Sequence, residues 1–419
     1  MICQGGNCLK ATRGLARAGI AIVWFAGQIA SAQISFAQSD AAAQTVEMVT
    51  GESLIRTGLV SADATQFVFT EGSPVPLDDV RLIRFAAGSP GNSPAAGPVV
   101  HLVSGGRLPI ENAVLIEDAC RATLPGGRAV TLSLDDVTAI QWISSSDPAW
   151  AAALVKPSEE YDFVVAQAMP QVTVIRAFVE GISAETIEFD WDKQARTLPR
   201  TQVIGVVLAR PEAESGAAKI VVHCHSGAVV PAKELRRRED GAAYVCTLPG
   251  GSVLEMPTAE VESIRVRSAR VTYLSDLQPA TVKEQPIVAL PRSWQSNRNV
   301  RGEPLRAGAQ AFEKGLGVQS GSSLSYDLDG HAEQFVAVLS LDPPATVAGD
   351  CEFVIVADDR ELARQQVKAG DPPVPIRLSL AGARRLELRV EYGQNLDFGD
   401  HANWCDAHLV LERQLSGEE

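Results

Sequence analysis

The stretch Thr186–Trp191, with the sequence Thr-Ile-Glu-Phe-Asp-Trp, places an apolar side chain at every second position. This is the period of a β-strand with one buried and one exposed face. Gln66–Phe69 is a shorter run of the same β-rich type. Turn signals separate such runs, since residues 123–127 and 247–251 both read Thr-Leu-Pro-Gly-Gly. The pattern predicts an all-β chain.

An internal duplication organises the middle of the chain. Residues 99–127 and 221–251 share Val-Val-His, Ser-Gly, Pro and Thr-Leu-Pro-Gly-Gly in the same order, at an offset of 122 at the start (221 − 99) and 124 at the end (247 − 123). The segments before them, 46–85 and 172–208, correspond at a similar offset. The units are named here A1 (46–85), B1 (99–140), A2 (172–208) and B2 (221–264). The duplicated pair therefore runs A-B-A-B.

Each unit ends in a Val-x-x-(Ile/Val) step. The four steps are Val80/Ile83, Val137/Ile140, Val203/Val206 and Val261/Ile264. Units of about 40 to 50 residues with several short strands resemble small SH3-like or Sm-like barrels. The alternative is a propeller or solenoid, which four units of unequal type disfavour. The predicted repeat copies are 46–144 and 172–268, joined by a Ser- and Ala-rich connector.

The N-terminus has the pattern of a secretory signal peptide. Its first 32 residues contain three basic and no acidic residues, and the apolar run 19–30 leads into Ala30-Ser31-Ala32. A second small-x-small triplet ends at Ala37, so cleavage is predicted after Ala32 or Ala37. The alternative is an uncleaved anchor, but the run is shorter than the roughly 20 residues that span a bilayer. The chain is predicted to be exported, to the periplasm, the cell surface or the medium, with no membrane span after cleavage of the signal peptide 1–32.

The charge balance is acidic. With 37 basic and 51 acidic residues the chain carries −14, and without the leader's three basic residues it carries 34 − 51, or −17. Such a chain as a whole repels nucleic acid and anionic lipid, and no basic stripe offers contacts to phosphates. No nucleic acid partner is predicted, and the sequence does not determine the oligomeric state.

Five cysteines lie outside the leader. Cys224 and Cys246 fall in one module, and Cys351 and Cys405 in another, so each pair would make a local bridge in an exported protein. Cys120 would then be left over. Buried free thiols are the alternative for each pair.

From Val271 the sequence changes character and carries an ordered set of motifs. They are Lys-Gly-Leu-Gly at 314–317, Tyr-Asp-Leu at 326–328, a strand that begins with Phe-Val and ends in Asp at 353–358, and Asp-His-Ala-Asn-Trp-Cys-Asp-Ala at 400–407. This succession resembles the NPCBM family, the novel putative carbohydrate-binding module, over residues 271–413. The resemblance implies a galactose-binding-like jelly-roll β-sandwich with a glycan or glycoprotein as its partner. One departure is Gln319, where the family usually has histidine.

Sugar-binding sites combine an aromatic face, which stacks on a pyranose ring, with side chains that hydrogen-bond hydroxyl groups. On this chemistry and on the resemblance, the candidate sugar-binding residues are Trp294, Gln319, Asp400, His401, Asn403, Trp404 and Asp406. The alternative is that Trp404 fills the sandwich core and Asp406 holds a turn. Some galactose-binding-like sandwiches hold a structural calcium, for which this sequence fixes no ligands, and no other cofactor is predicted.

Catalytic patterns are weak in the sequence. His223-Cys224-His225 is the most metal-like cluster, but zinc needs further ligands. The paired acids Asp78-Asp79 and Asp135-Asp136 recur at equivalent places and are predicted to be solvated turn acids. There is no nucleophile elbow, P-loop or dinucleotide motif.

We therefore predict an exported, non-catalytic glycan-binding protein and not an enzyme. The alternatives are a cell-envelope scaffold for protein–protein assembly, an accessory part of a glycoside-processing system, and an unrecognised enzyme in the repeats.

Overall fold

Strands make up most of the chain. The computed structural model describes residues 43–85, 97–168, 171–210, 218–342 and 349–413. The predicted leader and both cleavage positions lie outside these residues. So do most of residues 88–98 and residues 211–217, which connect the two units of each copy. Within the described ranges, Pro148–Val155 is the one α-helix, α1. The all-β prediction is confirmed.

The described residues of the first repeat copy form twelve strands. Those of A1 are β1 (Ala43–Met48), β2 (Ser53–Thr57), β3 (Leu59–Ala62), β4 (Gln66–Phe69), β5 (Val75–Pro76) and β6 (Val80–Phe85). Those of B1 are β7 (Val99–Leu102), β8 (Gly106–Pro109), β9 (Asn112–Ile116), β10 (Ala119–Leu124), β11 (Arg128–Ser133) and β12 (Val137–Gln141).

The second copy follows α1. Strand β13 (Asp162–Ala168) lies ahead of the predicted start of A2 but pairs with its strands, so it is counted with A2. The further strands of A2 are β14 (Gln171–Ile182), β15 (Thr186–Trp191), β16 (Gln194–Pro199) and β17 (Val203–Val207). The strands of B2 are β18 (Ile220–Cys224), β19 (Val229–Ala232), β20 (Glu234–Arg237), β21 (Ala243–Thr247), β22 (Val253–Pro257) and β23 (Val261–Val266).

A short 3-10 turn precedes the closing strand of every unit. The turns are Leu77–Asp79, Leu134–Asp136, Arg200–Gln202 and Thr258–Glu260. The two apolar residues of each Val-x-x-(Ile/Val) step are buried. The step therefore marks a strand that enters the core directly after a turn.

The two copies exchange partners, in that each A unit pairs with the B unit of the other copy. The closing strands of A1 and B2 pair antiparallel (β6 with β23), and so do those of B1 and A2 (β12 with β17). The same exchange recurs in the pairs β3–β20 and β14–β9. Strands β8 and β19 join B1 to B2. Each A unit thus pairs with the B unit of the other copy, and all four units share one continuous hydrophobic core.

The C-terminal strands form a sandwich. They are β24 (Val271–Tyr273), β25 (Thr281–Glu284), β26 (Gln295–Ser296), β27 (Leu305–Ala307), β28 (Gln310–Phe312), β29 (Gly315–Gln319), β30 (Ser322–Asp327), β31 (Ala332–Leu341), β32 (Asp350–Ala357), β33 (Arg360–Lys368), β34 (Val374–Ser379), β35 (Arg385–Tyr392) and β36 (His401–Leu411). One sheet has the order β26-β29-β36-β31-β34, and the other has the order β25-β30-β35-β32-β33. They are called here the β36 sheet and the β35 sheet.

The two sheets enclose their own core. Trp404 lies at its centre, with ring centroids 4.8 Å from Phe353 on the β35 sheet and 6.3 Å from Phe335 on the β36 sheet. Such edge-to-face contacts add to the burial of aromatic surface. The hairpin β27–β28 covers part of the outer face of the β36 sheet, where Leu305 packs against Cys405.

The sandwich packs against A1 through buried polar groups. The Arg81 guanidinium lies 2.6 Å from the Asp406 carboxylate, and the side chains of both residues are largely buried. The His408 ring nitrogen Nε2 lies 3.0 Å from the Val49 carbonyl oxygen. Val49 also packs against Val410 in a small apolar cluster.

The paired acids do lie in turns, but the prediction that all of them are solvated is wrong. Asp136 is fully buried and accepts hydrogen bonds from the backbone N–H groups of Gly250 (2.6 Å) and Ser252 (2.8 Å). Asp79 is paired with Arg270 at 2.5 Å. Buried carboxylates need such partners because desolvation is costly.

The cysteines are free and buried, so neither predicted bridge forms. The five thiols are those of Cys120, Cys224, Cys246, Cys351 and Cys405. Cys351 faces the core between the sheets, whereas Cys405 faces the β27–β28 hairpin on the outside. Among the residues that the structure describes, no helix is long and apolar enough to cross a bilayer.

Candidate functional site

The first polar residues of the Asp400–Ala407 motif, Asp400, His401 and Asn403, lie beside the end of β29 at one end of the sandwich. Gln319 and His401 stand opposite each other in the β29–β36 register. Directly opposed residues of an antiparallel pair share a face of the sheet. That face is the outer one, because Trp404 and Ala402, which alternate with His401, point into the core. His401 is half-buried there.

Asp342 and Asn403 form the floor beside His401. The Asp342 carboxylate accepts hydrogen bonds from the side-chain amides of Asn403 (2.7 Å) and Asn299 (2.8 Å). All three side chains are buried. Burial raises the pKa of Asp342, and the hydrogen bond from Asn403 opposes that rise. The floor is therefore an acceptor group held in place by two amides.

A tight turn places charged groups over this floor. The Asn299 side-chain oxygen accepts from the backbone N–H groups of Arg301 and Glu303, both at 2.9 Å. Such bonds from an asparagine side chain fix a turn locally. Gly302 has φ +82°, a left-handed conformation that favours glycine. The Arg301 guanidinium then lies 3.0 Å from the Glu303 carboxylate and 3.9 Å from that of Asp342.

Gln319 holds the loop around Leu290 and Arg292 on the other side of the site. Its side-chain oxygen accepts from the Arg292 backbone N–H at 2.8 Å, and its amide donates to the Leu290 carbonyl at 3.2 Å. Gly317 lets the neighbouring loop approach, since a Cβ atom there would clash with the Arg298 carbonyl. A cavity of about 250 Å³ lies beside Gln319. Its lining includes Glu284, Arg292, Gln319 and Ser320.

The resulting cluster mixes donors and acceptors around one imidazole. Burial lowers the pKa of His401, while the Asp342 charge opposes this and the Arg301 and Arg292 charges add to it. The ring is therefore neutral near pH 7, with one donor and one acceptor nitrogen. Together with Glu303, these groups offer guanidinium donors and carboxylate acceptors to a ligand with several hydroxyl groups.

Two predicted residues support this site from behind. Asp400 is buried and accepts from the Asp350 backbone N–H at 2.8 Å, and burial raises the pKa of its carboxyl to about 6. Asn403 orients Asp342, as described above. Neither side chain is open to solvent.

The structure separates the other three predicted residues from this cluster. Trp404 is 1% exposed in the core, so its ring cannot stack on a sugar, and the alternative role in packing is the one observed. Asp406 pairs with Arg81 at the contact with the repeats. Trp294 packs partly against the core, and its backbone N–H donates to Glu284 at 2.6 Å.

Sequence reasoning missed Arg292, Asn299, Arg301, Glu303 and Asp342. A signal was present for the turn, because Asn-Val-Arg-Gly-Glu at 299–303 has an asparagine followed by a glycine three residues later. Asp342 directly follows the apolar end of β31. That position is typical of a functional side chain, but it is not specific.

No metal centre emerges within the described ranges, where no group of three or more His, Cys, Asp or Glu residues could hold an ion. Asp358 and Asp359 have positive φ values in the β32–β33 hairpin. They are turn residues. His223 and Cys224 lie on β18, and the Cys224 sulfur is 3.7 Å from that of Met256.

Comparison with known proteins gives a family and one curated relative. Residues 270–410 match the NPCBM/NEW2 domain. The curated relative is a putative endo-alpha-N-acetylgalactosaminidase of Renibacterium salmoninarum, 25% identical over 179 residues, which are 42% of this chain. The match spans 12% of that relative's length.

Solved structures with similarity include two from Clostridium perfringens. The CBM51 of GH95 in complex with methyl-galactose has 20% identity and a TM-score of 0.31, covering 33% of this chain and 99% of that one. CBM51-2 with GlcNAc and the INT domains of ZmpB has 18% identity and a TM-score of 0.31, covering 48% and 40%. The family match confirms the resemblance read from the sequence motifs. Residues 270–410 of this chain are an NPCBM/NEW2 domain.

Proposed function

We propose that this chain is an exported, non-catalytic glycan-binding protein that holds carbohydrate at the outer face of the β36 sheet. The observation that carries the proposal is the cluster of His401, Arg301, Glu303 and Asp342 at one end of the NPCBM/NEW2 domain. Export is supported by the leader pattern and places the protein in the periplasm, on the cell surface or in the medium.

The cluster suits hydroxyl groups because it combines both hydrogen-bond roles in fixed positions. Arg301 donates, Glu303 accepts and neutral His401 does either. Charge-assisted hydrogen bonds are stronger than neutral ones, and a site whose side chains are already held pays less to order them on binding. The amides of Asn299 and Asn403 provide that order.

The test is affinity electrophoresis of the full chain in gels containing galactose-, fucose- or uronate-type polysaccharides, preceded by a glycan array. We expect retention of the wild type and a loss of about tenfold or more in affinity for His401→Ala and Arg301→Ala. His331→Ala is the matched control, because His331 is exposed at the other end of β31. Absence of retention on every polysaccharide, or equal retention of all variants, would contradict sugar binding and favour the scaffold alternative.

A role beside a glycoside-processing enzyme is a second candidate. It is favoured by the partial match to the putative endo-alpha-N-acetylgalactosaminidase. Here the chain would bind the glycan while another protein cleaves it. Incubating the full chain with each bound glycan should release no reducing sugar, and release would contradict the non-catalytic assignment.

A further inference from the structure

A group of large apolar side chains stands exposed on two loops beside the candidate sugar site. These side chains are called here the apolar crown and comprise Ile287, Val288, Leu290, Leu396 and Phe398. Their exposed fractions run from 43% for Phe398 to 80% for Leu290. Single exposed apolar residues are ordinary, but a contiguous group of this kind indicates an interaction surface.

The crown is held rigidly by buried polar groups. The Asp397 carboxylate lies between Leu396 and Phe398 and accepts from the backbone N–H groups of Ile287 (2.6 Å), Val288 (3.0 Å) and Ala289 (3.1 Å). The Tyr392 hydroxyl donates to the Gln285 carbonyl. Gln319 fixes Leu290 at the other end of the same loop. The two loops therefore present their apolar tips without an ordering cost on binding.

The charge around the crown is opposite to that of the chain. Residues 286–301 contain three arginines and no acidic residue, whereas the whole chain carries −14. Arg292 and Arg298 are exposed. The two acids of the second loop, Asp397 and Asp400, are both buried. With the flanking exposed Lys283 and Glu284 and the Arg301–Glu303 pair included, the exposed charge next to the crown is still net positive.

We propose that the apolar crown docks on the surface of a phospholipid bilayer that contains anionic lipid. Aliphatic tips on convex loops enter the boundary between headgroups and acyl chains, and flanking arginines meet the anionic headgroups. Four of the five crown residues have no π face to stack on a sugar ring. This docking goes beyond the proposed sugar binding and orients the NPCBM/NEW2 domain with its loop end toward the membrane.

The test is co-sedimentation of the chain from Gln38 onward, the form that cleavage after Ala37 leaves, which lacks the apolar run of the predicted leader. The vesicles are phosphatidylcholine alone and phosphatidylcholine with phosphatidylglycerol. We expect binding to the mixed vesicles, weakened by salt, and a drop of about tenfold or more for the double variant Leu290→Ser/Phe398→Ser. Ile55→Ser/Val155→Ser removes two exposed apolar residues elsewhere and should bind like the wild type.

Three results would overturn the proposal. The first is a wild type that binds neither vesicle, and the second is a crown variant that binds as well as the wild type. The third is a wild type that sediments as a dimer without lipid and becomes a monomer in the crown variant, which would assign the crown to a second copy of the chain. Circular dichroism spectra and denaturant unfolding of the crown variant, measured in parallel, distinguish loss of docking from loss of the fold.

Discussion

The A1/B2 contact and the B1/A2 contact are formed by equivalent strand pairs, but different elements pack on their outer faces. At B1/A2, the outer face carries Ala139, Ile204 and Val207, and α1 packs on it through Trp150. At A1/B2, the position equivalent to Ile204 is Arg81, which binds Asp406 of the sandwich. The duplicated pair therefore presents two equivalent faces. The face that carries Arg81 contacts the NPCBM/NEW2 domain, and the apolar face is covered by α1.

The difference has an energetic meaning. An apolar face covered by a helix is stabilised by burial of apolar surface, roughly 25 cal/mol per Å². A face covered through a buried ion pair gains less in stability relative to an apolar pair, but it is intolerant of losing one partner. The ion pair therefore fixes the orientation of the sandwich on the repeats, whereas the helix contact depends on burial of apolar surface.

Arg81→Ala should have the largest effect. It leaves the Asp406 carboxylate buried without its guanidinium partner, which costs about 3 to 5 kcal/mol. We expect denaturant unfolding to show a loss of this size at pH 7. The control is Arg84→Ala on the same strand, whose side chain is more exposed and pairs with Glu47, and which should cost about 1 kcal/mol or less. Equal effects of the two variants would contradict the assigned role of Arg81.

Gly205→Ala should be next in size. The equivalent position in A1 is Leu82, but at B1/A2 a Cβ atom on residue 205 would lie 2.6 Å from the Trp150 ring and 2.6 Å from the Ile140 carbonyl oxygen. Overpacking of this kind costs about 1 to 3 kcal/mol. The measurement is again denaturant unfolding. Gly181→Ala is the matched control because only the end of Glu188 lies near it, at 4.0 Å, and a comparable loss there would show that the Trp150 contact is not the cause.

The two contacts should also differ in pH dependence. Burial raises the pKa of Asp406, and the Arg81 charge opposes that rise, so Arg81→Ala raises the pKa further. An acid whose folded-state pKa exceeds its unfolded value favours the folded state as pH falls through the folded pKa. The stability deficit of Arg81→Ala should therefore shrink by about 1 to 2 kcal/mol between about pH 7 and pH 5.

The control for this pH effect is Ile204→Ala, at the position equivalent to Arg81, which removes apolar surface and no titrating group. Its deficit relative to the wild type should stay constant when unfolding is measured at the same two pH values. A deficit of Arg81→Ala that also stays constant would mean that Asp406 is solvated once its partner is lost.

The sequence showed the duplication, the closing strands and the NPCBM/NEW2 motifs, because each leaves a repeated or ordered residue pattern. It could not show that the copies exchange partners. The closing strands all carry the same buried Val-x-x-(Ile/Val) step and all pair antiparallel, so the pattern of β6 does not distinguish β23 from β12 as its neighbour. Pairing at this distance along the chain depends on the tertiary fold.

The candidate site was predicted in part for a similar reason. Simple alternation along β36 would place Trp404 and Asp406 on one face. Asp406 instead has φ +56°, and the pairing with β31 shifts its register there. This bulge sends Trp404 into the core and Asp406 to the repeats. His401 and Asn403 precede the bulge, so alternation predicts their shared outer face correctly.

Asp147→Ala should have the smallest effect and tests whether α1 is only a local cover. The Asp147 carboxylate caps the helix by accepting from the Ala149 backbone N–H at 2.8 Å, and Pro148 begins the first turn. Loss of such a cap costs about 1 kcal/mol. Asp147→Asn keeps a side-chain oxygen acceptor and should lose much less in denaturant unfolding. Because α1 lies on B1/A2, neither variant should change the polysaccharide retention of the NPCBM/NEW2 domain. A parallel loss of retention would show that the two faces are coupled through the shared core.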